Sequence, residues 1–260
     1  MTASKRPEDK VRTAVVTGAS AGIGAAIGEA LGALGWNVAV GARRTDKLAE
    51  VADRIEAAGG RCLACELDVS KAGSIDGFFA SVESAFGDPG VVVSNAGSSI
   101  PGLLHELDPA DMEREVATNL TGPMLVARRA IPAMRAAKRG DLVFVTSLNA
   151  VLPRVLQVPY TATKAGLEAA VRTMQMELEG TGVRATIVRP GPTASEFGSS
   201  WSPEQVRAAV DSWGRWGSLH HLNTLSPEAV AGAVIQAATA PRGTRLDLIQ
   251  LNPEAPIEQG

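Results

Sequence analysis

A chain of 260 residues, 45% hydrophobic and 20% charged, has the apolar material for a buried core in one large α/β domain or two small ones. Its formal net charge of -3 supplies no concentrated positive field for nucleic acid or an anionic membrane, and the interrupted basic cluster in "PAMRAAKRG" reads as solvated surface at a helix end. No run reaches the ~18 apolar residues of a spanning helix, and the polar start "MTASKRPEDK" lacks the apolar centre of a signal peptide; the expectation is a cytoplasmic protein with a flexible segment over residues 1–10 and a single domain over 11–260.

Seven short β-rich runs alternate with longer helix-compatible runs, the order expected of parallel βαβ units. The first, "TAVVTG", leads into "TGASAGIGAAIGEALG", where Gly18, Gly22 and Gly24 form a GxxxGxG turn that also holds Ser20. Glycine there permits turn dihedrals, removes a Cβ where pyrophosphate approaches, and lets the following helix cross close to the sheet. A helix beginning near Ile23 would aim its amides and positive end at the phosphates. The second run, "NVAVGA", leads to Arg43 and Arg44, where an acidic residue would hold the ribose diol of NAD. Paired guanidinium donors favour a 2′-phosphate, so the pattern predicts NADP(H) in preference to NAD(H). The bland reading of either arginine is a solvated side chain at a helix start.

Residues 46–59, "DKLAEVADRIEAAG", space Leu48, Val51 and Ile55 on one helical face and stop at glycine. The third run, "RCLACELD", carries both cysteines, Cys62 and Cys65, in a strand-like stretch and not at a helix start, where a redox pair would sit. One pair cannot complete a zinc site, and His105, His220 and His221 show no HExxH spacing, so no metal is expected. Asp68, ending that run, can accept from an adenine amino group beside the Val69 backbone, or cap the next helix. The fourth run, "GVVVSN", is followed by Ala96 and Gly97, small enough for close cofactor approach, with Asn95 securing the turn for the cofactor or serving structure alone.

Asn119 is the odd polar residue in "MEREVATNLTGPMLVARR"; its side chain or a locally opened carbonyl can hold a water connected to Lys164. The fifth run, "DLVFVTS", ends at Ser147. Thirteen residues later the only tyrosine, Tyr160, opens a helix near Pro159 and shares one face with Lys164 at i+4. A phenol with a pKa near 10 is a poor base at neutral pH, and a nearby ammonium and an oxidised nicotinamide would both stabilise its phenolate. Tyr160 can then exchange a proton with a carbonyl or alcohol oxygen while hydride moves. Lys164 can hold the nicotinamide ribose hydroxyls, and Ser147 can donate to the substrate oxygen. Ser147, Asn149, Tyr160 and Trp201 are the expected substrate contacts.

The runs "RATIVRP" and "RLDLIQL" complete the series, separated by an irregular segment, 192–225, that carries Phe197, Trp201, Trp213 and Trp216. It reads as an apolar cover over the strand ends, or as an ordered helical insertion packed on the body. No low-complexity linker divides the chain. The fold class that follows is α/β: one doubly wound, Rossmann-like domain with a seven-stranded, mainly parallel sheet flanked by helices.

Taken together, "TGASAGIG", "SNAG", Asn119, Ser147 and "YTATK" resemble the classical short-chain dehydrogenase/reductase family over residues 11–250. The resemblance implies hydride transfer with Tyr160 as acid/base, Ser147 as substrate-oxygen donor, Lys164 as ribose ligand and pKa modifier, and Asn119 as support for a proton relay. The arginine after the second run is similar to that of NADP-preferring members, and the family implies a homodimer or homotetramer. Two departures stand out: Ser94 precedes Asn95 where a second asparagine is frequent, and Ser195 lies four positions after Gly191 where threonine is common. The Ser195 hydroxyl and the backbone from Pro190 through Gly191 to Thr193 remain available to the nicotinamide carboxamide or a phosphate. The implied activity is oxidation of a small-molecule alcohol or reduction of a ketone or aldehyde. A 3-oxoacyl-carrier reductase is the narrower alternative. A nucleotide-responsive regulatory or interaction protein is the non-enzymatic one, and the intact catalytic set argues against it.

Overall fold

The computed structural model describes residues 12–196, 201–219 and 221–257. The segment 1–10, expected to be flexible, lies outside the described residues, as do Phe197 and His220. Strands β1 (Thr13–Thr17), β2 (Asn37–Ala42), β3 (Arg61–Glu66), β4 (Val91–Ser94), β5 (Gly140–Val145), β6 (Val183–Pro190) and β7 (Leu248–Leu251) form one sheet in the order β3-β2-β1-β4-β5-β6-β7. Every neighbouring pair is parallel. The inner strands β1, β4 and β5 are buried residue after residue, the pattern of a strand covered on both faces. The edges differ. β3 and β7 alternate between exposed and half-buried positions, because each has one ladder neighbour and only partial cover. β7 is also shorter than "RLDLIQL": its ladder starts at Leu248 opposite Ile187, while Arg245 and Asp247 pair with each other in the approach.

Helices α1 (Gly22–Gly32), α2 (Thr45–Ala57) and α8 (Pro227–Thr239) cover one face of the sheet, with Ile27, Leu31, Leu48, Val51, Ile55, Val230 and Val234 in a common cluster. Helices α3 (Ala72–Phe86), α5 (Gly122–Ala136) and α6 (Val158–Glu177) cover the other through Phe78, Phe79, Val126, Met134, Leu167 and Val171. Burying one such side chain contributes roughly 1.5–3 kcal/mol, against ~0–1 kcal/mol for an exposed ion pair such as Arg54 with Glu29. The apolar layers, not surface charge, therefore hold the helices on the sheet. Two further helices, α4 (Pro109–Val116) and α7 (Pro203–Arg215), stand over the carboxyl ends of the strands.

Cys62 packs into the first layer and Cys65 into the second, on opposite faces of β3. Burial raises both thiols, Cys62 to about 12, which keeps them far from thiolate chemistry. Among the described residues no group of His, Cys, Asp or Glu is arranged to hold a metal ion, and no helix is long and apolar enough to cross a membrane.

Candidate cofactor and active site

The turns after β1, β2, β4, β5 and β6 open on one side around a cavity of about 730 Å³. β1 and β4 are neighbours although β2 and β3 intervene in sequence, and this reversal is where open α/β sheets receive ligands. Gly18 leaves β1 at φ +66°, in the left-handed region, and a Cβ there would stand 2.6 Å from Ala96 Cα. A Cβ on Gly24 would overlap Gly18 O, so glycine lets α1 begin directly against the turn. α1 has no side-chain cap and no acidic residue in its first turn. Its first amides, beside Gly22 and Ile23 in the cavity wall, suit an external anion. The groove fits a dinucleotide on these grounds.

Thr17 Oγ1 accepts the N–H groups of Asn95 and Ala96, both at 3.1 Å, and Asn95 Nδ2 donates to Thr17 O and Gly18 O at 3.1 and 3.2 Å. The ends of β1 and β4 are thereby tied together. Arg43 is exposed at the cavity edge. Arg44 donates to Ser20 Oγ from Nη2 and Nε at 2.9 and 3.1 Å, and its Nη1 meets Glu196, which also receives Lys47. Asp68 Oδ1 accepts from the backbone and hydroxyl of Ser70 at 3.1 and 2.6 Å. Burial opposes its charge, yet Ser70 and then Lys71 hold the carboxyl below its ordinary value. Lys71 is the N-cap of α3, so Asp68 shapes the preceding turn and does not cap the helix. Val69 joins it in the cavity wall. Across the cavity, Pro190 ends β6, Gly191 follows, and Thr193 Oγ1 donates to Gly191 O at 3.0 Å. Ser195 lies against the glycine turn: a Cβ on Gly22 would stand 3.0 Å from its Cβ.

At the inner end, Ser147 follows β5 and caps a 3-10 turn, Leu148–Ala150, its Oγ accepting from Asn149 N at 3.2 Å. It also hydrogen-bonds Tyr160. Pro159 in the first turn of α6 sets the helix start, and Tyr160 and Lys164 follow one turn apart with 7% and 4% exposure. Lys164 Nζ lies 5.7 Å from the Tyr160 ring centroid and donates to Val145 O at 3.1 Å. Burial governs both groups. It raises the phenol to about 12, with the Ser147 hydrogen bond lowering it, Glu115 raising it and Arg154 lowering it. It lowers the Lys164 amine to about 8 against the upward pull of Glu115 and Glu168. Stabilisation of the phenolate by Lys164, expected from the spacing, is outweighed among the protein groups by loss of solvent.

Asn119 sits in a π turn, Ala117–Thr121, between α4 and α5. Its Oδ1 accepts Ser98 N at 2.9 Å and its Nδ2 donates to Ser98 O at 2.8 Å, so the side chain holds the loop after β4. A Cβ on Gly97 would come 3.3 Å from Asn119 Oδ1 and 3.6 Å from Lys164 Nζ, so the loop after β4 lies against α6. Asn149 is buried, donating to Gln157 Oε1 at 2.8 Å, and Gln157 donates to Ser99 Oγ at 3.1 Å. Trp201 Nε1 donates to Ser99 O at 3.1 Å, and its ring lines the cavity. Trp213 lines it too, whereas Trp216 is 74% exposed and outside it.

Sequence reasoning passed over Glu115, Gln157 and Arg154 as site components. Glu115 is fully buried, and burial raises its carboxyl to about 7 against hydrogen bonds from Ile100 and Ser99. In "DMEREV" it reads as one charge of a solvated helix; its place four residues before Asn119, on the same face, was the available signal. Arg154 offered a similar one, as the sole charge between Ser147 and Tyr160.

A family model described as short chain dehydrogenase matches residues 12–206. The chain is 31% identical over 245 residues to glycine betaine reductase ATRR of Emericella nidulans, a match covering 93% of this chain and 19% of that protein. It is 33% identical over 191 residues to a short chain dehydrogenase of Pseudocercospora fijiensis, covering 72% of this chain and 62% of the relative. The match thus spans less than two thirds of the length of these two relatives. A metagenomic short-chain oxidoreductase solved in complex with NADP superposes with a TM-score of 0.78 at 33% identity, over 94% of this chain and 98% of the other. The family model covers three quarters of the chain and includes the glycine turn, Ser147, Tyr160 and Lys164: this chain belongs to the short chain dehydrogenase family.

Proposed function

We propose that the chain is an NADP(H)-dependent oxidoreductase that interconverts a small-molecule ketone or aldehyde and its alcohol, with Tyr160 as acid/base. The observation that carries this reading is the meeting of Ser147, Tyr160 and Lys164 at the inner end of a cavity whose outer wall is the glycine turn. Gly18, Gly22, Ile23 and Gly24 would hold the pyrophosphate, Asp68 and Val69 the adenine, and Asn95, Ala96 and Gly97 the adjoining ribose. Ser20, Arg43 and Arg44 suit a 2′-phosphate and make NADP(H) the preferred form; the relative solved with NADP supports the same choice. Pro190, Gly191, Thr193 and Ser195 would hold the nicotinamide end. When bound, the dinucleotide supplies or accepts the hydride at the substrate carbon.

Every other part falls to the chain. Ser147 donates to the carbonyl oxygen and orients it beside Tyr160. Tyr160, protonated through neutral pH because burial raises its pKa to about 12, gives that oxygen its proton in reduction. Lys164 binds the nicotinamide ribose hydroxyls and, when charged, favours the phenolate left behind. The Asn119 side chain is engaged with Ser98, so a water feeding Lys164 would be held by the backbone of the π turn. The segment 192–225 covers the substrate through Trp201 and Trp213. A cytoplasmic homodimer or homotetramer belongs to the same reading, and sedimentation velocity reads the assembly.

Tyr160→Phe is the test. It should lower kcat by ~10²–10⁴-fold while NADPH affinity, measured by titration of nucleotide fluorescence, stays within about twofold. Near-wild-type turnover of the same carbonyl substrate by this variant would refute the acid/base assignment.

A further inference from the structure

Arg154 lies in the cavity wall, between the 3-10 turn and α6 in the chain. Its guanidinium rests over the Trp213 ring, 4.6 Å from the centroid. The ring is itself fixed: Trp213 Nε1 donates to Val155 O at 2.9 Å, and Trp201 meets it edge-on with centroids 6.2 Å apart. A guanidinium stacked on an indole has its plane set and its donor edge left for a ligand. Arg154 Nε is buried and has no hydrogen-bond partner among the described residues, and none of their carboxylates forms an ion pair with Arg154. The other cations near this end are engaged, Arg114 by Asp111 and Lys164 by Val145 O. Buried donors are normally satisfied, and a cationic side chain in the cavity wall with no carboxylate partner among the described residues points to an anion that enters the cavity.

The ligand chemistry follows from the count of charges. One fork-shaped cation, set on the Trp213 ring in a cavity that Trp201, Leu148 and Ile100 also line, matches one planar monoanion on an otherwise apolar body. A phosphate dianion would call for further donors. The titratable group that acts on it is the Tyr160 phenol, which is neutral at pH 7 and leaves the cation available.

We infer that the substrate is a carboxylate-bearing carbonyl compound or its alcohol, an oxo acid and hydroxy acid pair, whose carboxylate docks on Arg154 while its carbonyl oxygen meets Ser147 and Tyr160. This rests on the function proposed above. In reduction, NADPH gives a hydride to the carbonyl carbon and becomes NADP+, Tyr160 gives the oxygen its proton and regains one from solvent, and the carboxylate is unchanged. Arg154 is a specificity-determining residue.

The test compares pyruvate, acetoacetate and levulinate, each with its methyl ester, by NADPH oxidation in wild type, Arg154→Met and Arg154→Lys. For at least one pair, wild type should favour the acid. Arg154→Met should lower the acid-to-ester ratio of kcat/KM by ~10- to 100-fold, and Arg154→Lys should restore part of it. An equal loss on acid and ester would assign Arg154 to packing against Trp213 and overturn the inference, as would a wild-type preference for every ester. Quenching of tryptophan fluorescence by the acids, in protein loaded with NADP+, reads the anion site without turnover. Quenching unchanged in Arg154→Met overturns the inference whatever the rates. An Arg154-dependent acid preference with a fully active Tyr160→Phe would instead leave the anion site standing and remove the acid/base assignment.

Discussion

Lys164 keeps an amine where charge is disfavoured: burial brings its pKa from 10.5 down to about 8, although Glu115 and Glu168 pull the other way. In the unfolded chain the amine holds its proton up to about pH 10.4. Between pH 8 and 10 the unfolded state therefore binds more protons, and this group's contribution to stability rises with pH; below pH 8 its penalty is fully present. Lys164→Met should stabilise the nucleotide-free protein at pH 7, by ~1–3 kcal/mol, with a gain that shrinks by pH 10, while turnover is lost. Thermal unfolding at the two pH values checks this. A lower Tm at pH 7 would mean that the hydrogen bond to Val145 O and the attraction of the two glutamates outweigh desolvation. Such a stability penalty at a working site is the usual exchange between activity and stability.

Among the elements, the segment after β6 links the two ends of the cavity. α7 is fixed at its start by a capping box, Ser202 with Gln205, and Gln205 Nε2 also donates to Pro101 O at 3.3 Å. Within 192–225, α7 is an ordered helix, and Trp201 and Trp213 line the cavity. Before α7, Glu196 reaches Arg44 and Lys47 at 2.7 and 2.8 Å. A carboxylate thus occupies the donors that a 2′-phosphate would use, and the two anions compete for Arg44. Glu196→Gln should tighten NADPH by ~2- to 5-fold at low salt, as an exposed pair of this kind allows, with little change for NADH. Titration of both nucleotides at matched ionic strength decides it. Weaker NADPH binding in the variant would show that Glu196 serves chiefly to hold the segment over the nucleotide.

At the scale of the whole molecule, the sheet was legible because strands buried on both faces read as unbroken apolar runs, as in "TAVV" and "VVVS". The edge strands were legible as strands but not in their bounds or exposure, since β3 and β7 each have a single ladder neighbour. The site divides in the same way. Gly18 with Gly24, and Tyr160 with Lys164, could be read together because the members of each pair lie within a turn or two of the chain. Glu115, Arg154 and Gln157 gain meaning only when the segments around α4 and the start of α6 converge over the strand ends, and a lone charge or amide carries no such information in sequence. The dominance of burial over the Tyr160 and Lys164 charges is likewise tertiary. The most direct measurement is deuterium transfer from NADPH labelled at C4, in each stereochemical form, to a panel of aldehydes, ketones and oxo acids. Wild type should place the label on the carbinol carbon of at least one product, and Tyr160→Phe should do so ~10²–10⁴-fold more slowly. NADPH binding with no label transferred to any member of the panel, or undiminished transfer by Tyr160→Phe, would contradict the assignment.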